Sequence, residues 1–424
     1  MIQTQTLADG VTLRCFYDNR FKQGALSFQM VRPMCEAEAS MNALIPAVLL
    51  RGTEAHPDLR SITLHLDDLY GASVGTMVRR VGDYQTTGLC CGMMDDRFAL
   101  PGDKVLEPML RFLEELLFEP CLEKDGFRAD FVDSEKKNLI ATIESDLNDK
   151  RTYAMKNMMK TMCKADSLGI PRLGEVSWVE AIEPVALYEH YQKILKESRI
   201  DIFYVGSAPA WQVAGMLKPI VARLDRDYRE LPATTPFCDA GGSDTVEEMD
   251  VAQAKLCMGY VTPVTIGHPD LAIVQVMNTI FGAGMTSKLF ANVREKLSLC
   301  YSIGTGYYGA KGIITLSAGI DAADEEKARA EIDRQLDAIR NGDITDGEMA
   351  AAKESLLSGL RGSHDSPGAI EGYYSSAALS GLGMTPAEYM DRISAVTKDQ
   401  VAAAARDLKL HTTYILKGAD HEEI

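Results

Sequence analysis

The sequence predicts an α+β fold of two similar domains, each a mainly antiparallel sheet with helices packed on one face. Three observations carry this. The chain has 424 residues, more than one ordinary core accommodates, so two domains of roughly 200 residues are expected. Strand-like segments stand in groups with helical patterns between them. Close neighbours such as 73–80 and 84–93 imply hairpins, hence antiparallel pairing rather than a doubly wound parallel sheet. The order helix, strand, strand, acidic turn, helix occurs once in each half, as a duplication would produce.

In chain order, the first half offers strands at 11–17, 25–31, 73–80, 84–93 and 199–206. A helix over 57–69 starts at Pro57 and Asp58, a proline and an acid where a helix N-terminus favours both. It is followed by a turn from Tyr70 to Gly75, the strand from Tyr84, an acidic turn and a helix from about 103 to 118. Phe131, Glu135 and Leu139 are four residues apart, which puts Glu135 on the apolar stripe of a further helix. Pro184 opens another. Residues 224–248, with LPATTPF and DAGGSD, show no apolar period and read as a linker. The second half has strands at 254–261, 301–308, 312–320 and 412–417, with helices at 286–297 and 324–340. The domains are therefore expected at 1–223 and 249–424, joined by 224–248.

Hydrophobic residues make up 46% and charged residues 25%, ordinary globular values. A formal net charge of −17 argues against a nucleic-acid partner, which would require clustered Lys and Arg. Nine scattered cysteines with no C-x-x-C point to neither a zinc knuckle nor a thioredoxin-type site. Reduced cytoplasmic thiols are a simpler reading than a disulfide framework. The first ten residues lack the basic and apolar regions of a signal peptide. No apolar run reaches about 18 residues, so no membrane-spanning helix is expected.

Residues 286–301 read TSKLFANVREKLSLCY. They place Arg294 near a helix end and Tyr301 at the start of the next strand. A guanidinium and a phenol are directional donors able to hold a peptide carbonyl or the oxyanion of a tetrahedral intermediate. By themselves they are weak evidence of function, since an Arg beside Glu295 and Lys296 is usually a solvated helix face and a strand tyrosine usually core. The string resembles the second-domain signature of the pitrilysin/insulinase peptidase family, in which an Arg and a Tyr seven residues on hold the substrate. Residues 42–53, NALIPAVLLRGT, resemble that family's zinc helix, which carries H-x-x-E-H and ends in Gly-Thr. Counted back from Gly52 and Thr53, Ala43 and Ala47 take the places of the two histidines, and Pro46 that of the general-base glutamate. The family's later Gly-x-x-Asn is here Gly71 to Val74, without the asparagine. The segment FVDSEKKN resembles the one bearing the third ligand, so Glu135 is either a leftover ligand or an acid at the edge of its stripe, hydrogen-bonded or solvated. No two of the histidines at 56, 65, 190, 268, 364, 411 and 421 are four apart, so no zinc pair arises elsewhere.

The resemblance covers essentially the whole chain. It is closest to the family's short-chain branch, and within that to non-catalytic homologues associated by name with aminopentanol modification of elongation factor P. It implies two pitrilysin-like domains forming half of a peptide chamber that a second, zinc-bearing subunit closes. This chain would hold no cofactor. Zinc would sit in the homologous partner, and Arg294 and Tyr301 would act in trans on that partner's site. Gly282 and Gly284 would line the peptide channel. Those glycines also fit an ordinary helix end, and fit a phosphate cradle poorly because the P-loop Lys-Ser/Thr is missing. Two other functions stay open, a non-enzymatic scaffold and a homodimeric peptide-binding module. Cys90 and Cys91 show no nucleophile arrangement, and Tyr373 with Tyr374 reads as a mobile aromatic loop or as packing.

Overall fold

The computed structural model describes residues 2–418; His421 lies outside the described residues. The chain runs β1 (Ile2–Ala8), β2 (Val11–Tyr17), β3 (Gln23–Pro33), α1 (Glu36–Leu49), α2 (Leu59–Asp68), β4 (Ser73–Val81), β5 (Tyr84–Met94) and α3 (Leu106–Phe118). A short hairpin, β6 (Leu122–Glu123) and β7 (Gly126–Phe127), precedes α4 (Ala129–Asn148), α5 (Lys150–Met162), α6 (Val176–Glu180), α7 (Pro184–Glu197), β8 (Arg199–Gly206) and α8 (Ala210–Arg223). Then come β9 (Asp244–Glu248), β10 (Ala254–Val261), α9 (Leu271–Asn278), β11 (Cys300–Tyr308), β12 (Ile313–Ile320) and α10 (Glu325–Arg340). The last elements are α11 (Asp346–Gly362), α12 (Pro367–Ser380), α13 (Pro386–Ala395), α14 (Lys398–Asp407) and β13 (Lys409–Lys417).

Two compact units result, each with its own sheet. The first sheet has the order β1-β2-β8-β3-β5-β4, with only β2 and β8 parallel. The second has β11-β12-β10-β13-β9, with only β13 and β9 parallel. Read from opposite edges, the two orders match strand for strand once β1 is set aside. The repeat inferred from pattern is thus present as one topology used twice.

The units are not consecutive halves of the sequence. The first takes the chain up to Glu144, then Ile170–Ala233 and Ser363–Leu379; the second takes Ser145–Gly169, Thr234–Gly362 and Ser380 onward. So α5, from the first half, belongs to the second unit, and most of α12, from the second half, to the first. The expected linker also contains β9, whose residues alternate exposed and half-buried at a sheet edge. Its polar sequence, DTVEE, hides a strand because an edge strand with one wet face needs few apolar residues.

Each sheet packs its main helical layer on one face. In the first unit, Leu13, Phe28 and Ile202 of the sheet meet Leu44 and Ile45 of α1, Phe112 and Leu113 of α3 and Leu187 of α7. In the second, Leu256, Met258, Ile314 and Leu316 meet Val274 and Met277 of α9, Ile332 of α10 and Val401 of α14. The opposite faces are covered too, which the expectation of helices on one face did not include. Ala154, Met158 and Met162 of α5 pack on Cys257, Ile313 and Tyr414. On the first sheet, Glu371 of α12 bonds Ser27 and Gln29 of β3. No helix of the described residues is long and apolar enough to cross a membrane.

Candidate functional site

Helix α1 begins with Glu36 and Glu38 in its first turn, which suits the positive end of the helix dipole. It then carries Pro46 in its interior. Proline has no N–H, so the Asn42 carbonyl one turn back loses its helical donor. Thr87 on β5 replaces it, its hydroxyl donating to Asn42 O at 2.5 Å. The Asn42 side chain is buried as well. Gln85 Nε2 donates to Ala39 O at 2.9 Å and Arg172 O at 2.8 Å, so Gln85 Oε1 must be the acceptor for Asn42 Nδ2 at 2.9 Å. That leaves Asn42 Oδ1 facing His190 Nε2 at 2.8 Å, which fixes the tautomer with the proton on Nε2. Burial lowers the His190 pKa to about 4, so the ring is neutral at pH 7.

Ala43 and Pro46 are buried and Ala47 half-buried, and none offers a metal donor. Glu135 accepts from Arg51 Nη1 at 3.3 Å and from Asn138 Nδ2 at 3.1 Å. Arg51 follows the end of α1 directly and also lies over the Phe131 ring, 5.5 Å from its centroid. A guanidinium therefore meets the charge of Glu135, and the residues at these positions do not fit a zinc ion. Among the described residues no group of three or more His, Cys, Asp or Glu is arranged to hold a metal.

His56 and His65, nine positions apart, have no metal-ligand spacing in the sequence. The structure stacks their rings 4.5 Å apart, with Glu115 of α3 on His56 Nδ1 at 2.7 Å. Burial, then the neighbouring imidazole, holds the His65 pKa below its usual value. Cys90 and Cys91 offer no ready nucleophile, since burial pushes both thiols up. Tyr374 packs against Phe16, with ring centroids 5.6 Å apart, which decides for packing over a loose loop.

Arg294 lies on Leu289–Lys296, a stretch widened to π-type hydrogen bonding, in which Leu297 N–H reaches Asn292 O at 3.1 Å. Such widened turns are rare and concentrate at functional sites. The stretch is anchored by Asn292 Nδ2 to Gln335 Oε1 at 2.9 Å and by Lys288 to Glu348 at 2.8 Å. The Arg294 guanidinium lies over Phe290 at 4.6 Å and touches Glu295 only at 3.5 Å. Ser298, at φ 52°, then reverses the chain into β11. There Cys300 pairs with Ile320 and Ser302 with Gly319, leaving Tyr301 as the extra residue of a β-bulge. Bulges re-aim side chains, and Tyr301 is 69% exposed.

A cleft of about 880 Å³ opens in the same unit beside these residues. Its wall is the first turns of α5 from Asp149 to Lys156, the turn Gly282–Met285, Phe290, the stretch of β11 from Ile303 to Tyr308, and Thr315 and Ser317 of β12. Gly282 and Gly284 thus line it; Arg294 and Tyr301 do not, though Phe290 and Ile303 beside them do. At Gly282 a Cβ would come within 2.5 Å of the Thr305 side chain, so the glycine is required for that turn to close on β11. Among the described residues β11 pairs with β12 alone and forms an edge of its sheet, the kind of edge that another strand can join.

Residues 181–356 match the family model described as the Peptidase M16 inactive domain. The chain is 30% identical over 411 residues, 97% of its own length and 96% of the relative's, to a probable inactive metalloprotease, YmfF, of Bacillus subtilis. It is 26% identical over 288 residues to an uncharacterized zinc protease of Streptomyces coelicolor, covering 65% of this chain and 62% of that protein. Among solved structures, a conserved protein from Enterococcus faecalis superposes with a TM-score of 0.93 at 26% identity, over 100% of both chains. A peptidase M16 inactive domain from Pseudomonas fluorescens does so with a TM-score of 0.82 at 18% identity, again over 100% of both.

Proposed function

Because this chain belongs to the M16, or pitrilysin/insulinase, peptidase family, as a member without the zinc ligands, we propose that it is the non-catalytic subunit of a two-chain zinc peptidase. The zinc site belongs to a homologous partner. This chain contributes Arg294 and Tyr301 to substrate held there and helps enclose the peptide. The observation that carries the reading is a contrast within one molecule. Ala43 and Ala47 stand at the histidine positions, Pro46 at that of the general base, and Glu135 is paired with Arg51, whereas Tyr301 is exposed on a bulge. The exposure of that phenol supports a role as a donor to a bound partner or substrate. The Tyr301 hydroxyl would donate to the carbonyl under attack and the Arg294 guanidinium would share the developing charge. Gly282 and Gly284 would let a peptide backbone approach β11.

The test is reconstitution with a homologue bearing an intact H-x-x-E-H, followed by single-turnover cleavage at verified stoichiometry. Tyr301→Phe removes only the hydroxyl and is expected to lower kcat by on the order of 10²–10³ while assembly persists. Arg294→Ala is expected to do the same and also to weaken substrate binding. Wild-type cleavage by the Tyr301→Phe complex would sink this reading. A cleft complete within this chain favours a second one, a homodimeric peptide-binding module. That reading predicts peptide binding by the chain alone and no turnover with any partner.

A further inference from the structure

The cleft beside β11 holds one basic side chain without an ion pair among the described residues, although the Asp149 carboxylate in the same wall feels its charge across space. Arg151 stands on the first turn of α5, and its Nε donates at 3.2 Å to the Oγ of Ser317, a residue only 3% exposed. That bond pins the guanidinium against β11, where a Cβ at Gly304 would lie 3.9 Å from Arg151 Nη2. The other charges in the wall are engaged. Asp149 caps α5 by accepting from the Arg151 N–H at 3.1 Å and the Thr152 hydroxyl at 2.5 Å, and the Thr152 bond heads the causes that hold its carboxyl below the usual range. Lys156 is bonded to Asp146. Arg151 has no ion pair among the described residues. In a chain of net charge −17, a guanidinium left open inside a cleft is matched by an incoming carboxylate, because its planar fork fits two carboxylate oxygens at once.

The geometry points to a carboxylate subsite: the cleft takes an extended peptide along the edge strand β11 and docks an acidic group of that peptide on Arg151. This rests on the reading of the chain as a peptide-holding subunit and adds the chemistry of what it selects. The acidic group is a Glu or Asp side chain or a C-terminal carboxylate. Ser317 is a positioning residue, since it acts through Arg151. Gly304 and Gly306 keep side chains off the strand where the peptide would lie.

Ten-residue peptides of Ala, Ser and Thr bearing an uncharged BODIPY label, measured by anisotropy on the full chain, test this. One carries a central Glu and a C-terminal amide, one a central Gln and a free C-terminal carboxylate, and one a central Gln and an amide. At least one of the two acidic peptides is expected to bind about tenfold more tightly than the neutral one, which identifies the source of the carboxylate. Raising the salt should shrink the difference. Arg151→Gln should abolish it and Arg151→Lys retain part of it. Ser317→Ala should weaken it without removing the charge, which keeps the test sound even if Arg151→Gln proves unstable. Equal affinity for all three peptides, absence of binding by any, or a preference that survives Arg151→Gln would overturn the subsite. Failure of the split active site is separate, because it is read from turnover by the Tyr301→Phe complex and not from binding.

Discussion

Thr87 shows how a lost residue of the zinc motif is accommodated. Its hydroxyl stands in for the N–H that Pro46 cannot offer, so α1 keeps its course through a proline. Thr87→Val is expected to orphan the buried Asn42 carbonyl and cost about 1–3 kcal/mol, measured by urea unfolding. Pro46→Ala in the same background should recover part of that loss, because alanine restores the N–H. A Thr87→Val variant as stable as the parent would contradict the account. Arg51 acts likewise at Glu135. Protein purified without chelator is expected to carry no stoichiometric zinc, and Glu135→Gln should leave the metal content unchanged. One zinc per chain that disappears with Glu135 would mean the site still works. Both substitutions at the histidine positions are legible in the sequence, because absent donors can be counted. The Thr87 and Arg51 compensations are not, since each joins segments more than 40 positions apart.

The elements follow their sequence signals closely where the pattern is local. The capping box of Asp58 with Ser61 starts α2 and Pro184 opens α7, both near the residues that announced them. β10 spans Ala254–Val261, as its apolar run predicts. α12 is different. Its residues show little amphipathic order, and it is held by a buried acid. Glu371 accepts from Gln29 Nε2 at 2.6 Å, Ser27 Oγ at 3.0 Å and Arg79 Nη2 at 2.9 Å. Glu371→Ala removes their shared acceptor, leaving Gln29 Nε2 only Ser27 Oγ and Arg79 only Ser375 Oγ and solvent, and is expected to lower stability by about 2–3 kcal/mol. Hydrogen exchange should then rise first along 367–380 and β3. Unchanged protection there would show that α12 is held by something other than this acid.

For the molecule as a whole, acid is expected to destabilise in two steps. The His190 pKa is lowered from 6.5 to about 4 in the folded state, so its contribution is complete above about pH 6.5 and falls away as pH drops toward 4. That step is worth on the order of 3 kcal/mol, and His190→Gln should remove it. Burial alone would raise Glu38, but hydrogen bonds from Arg32 and Lys193 outweigh it and bring its pKa to about 2. Its contribution is therefore present above about pH 4.5 and is lost between there and 2. Unfolding free energies measured from pH 7 to 3 check both. A His190→Gln variant with the parent's slope between pH 6.5 and 4 would refute the assignment.

The sequence by itself determined that this is a duplicated α+β chain, placed most of its strands, and showed that the zinc ligands are absent while an arginine and a tyrosine stand seven apart. Those properties rest on periodicity, on local turn chemistry and on which side chains exist. Only the tertiary structure decided which helix covers which sheet. It moved α5 and α12 across the sequence midpoint because a sheet's second face accepts any helix that brings the right surface, whatever its place in the chain. It also decided that Tyr301 falls on a bulge, that Glu135 is answered by Arg51, and that Arg151 opens into a cleft with glycine walls. Each of these depends on strand register or on contacts between distant segments, which no local pattern records.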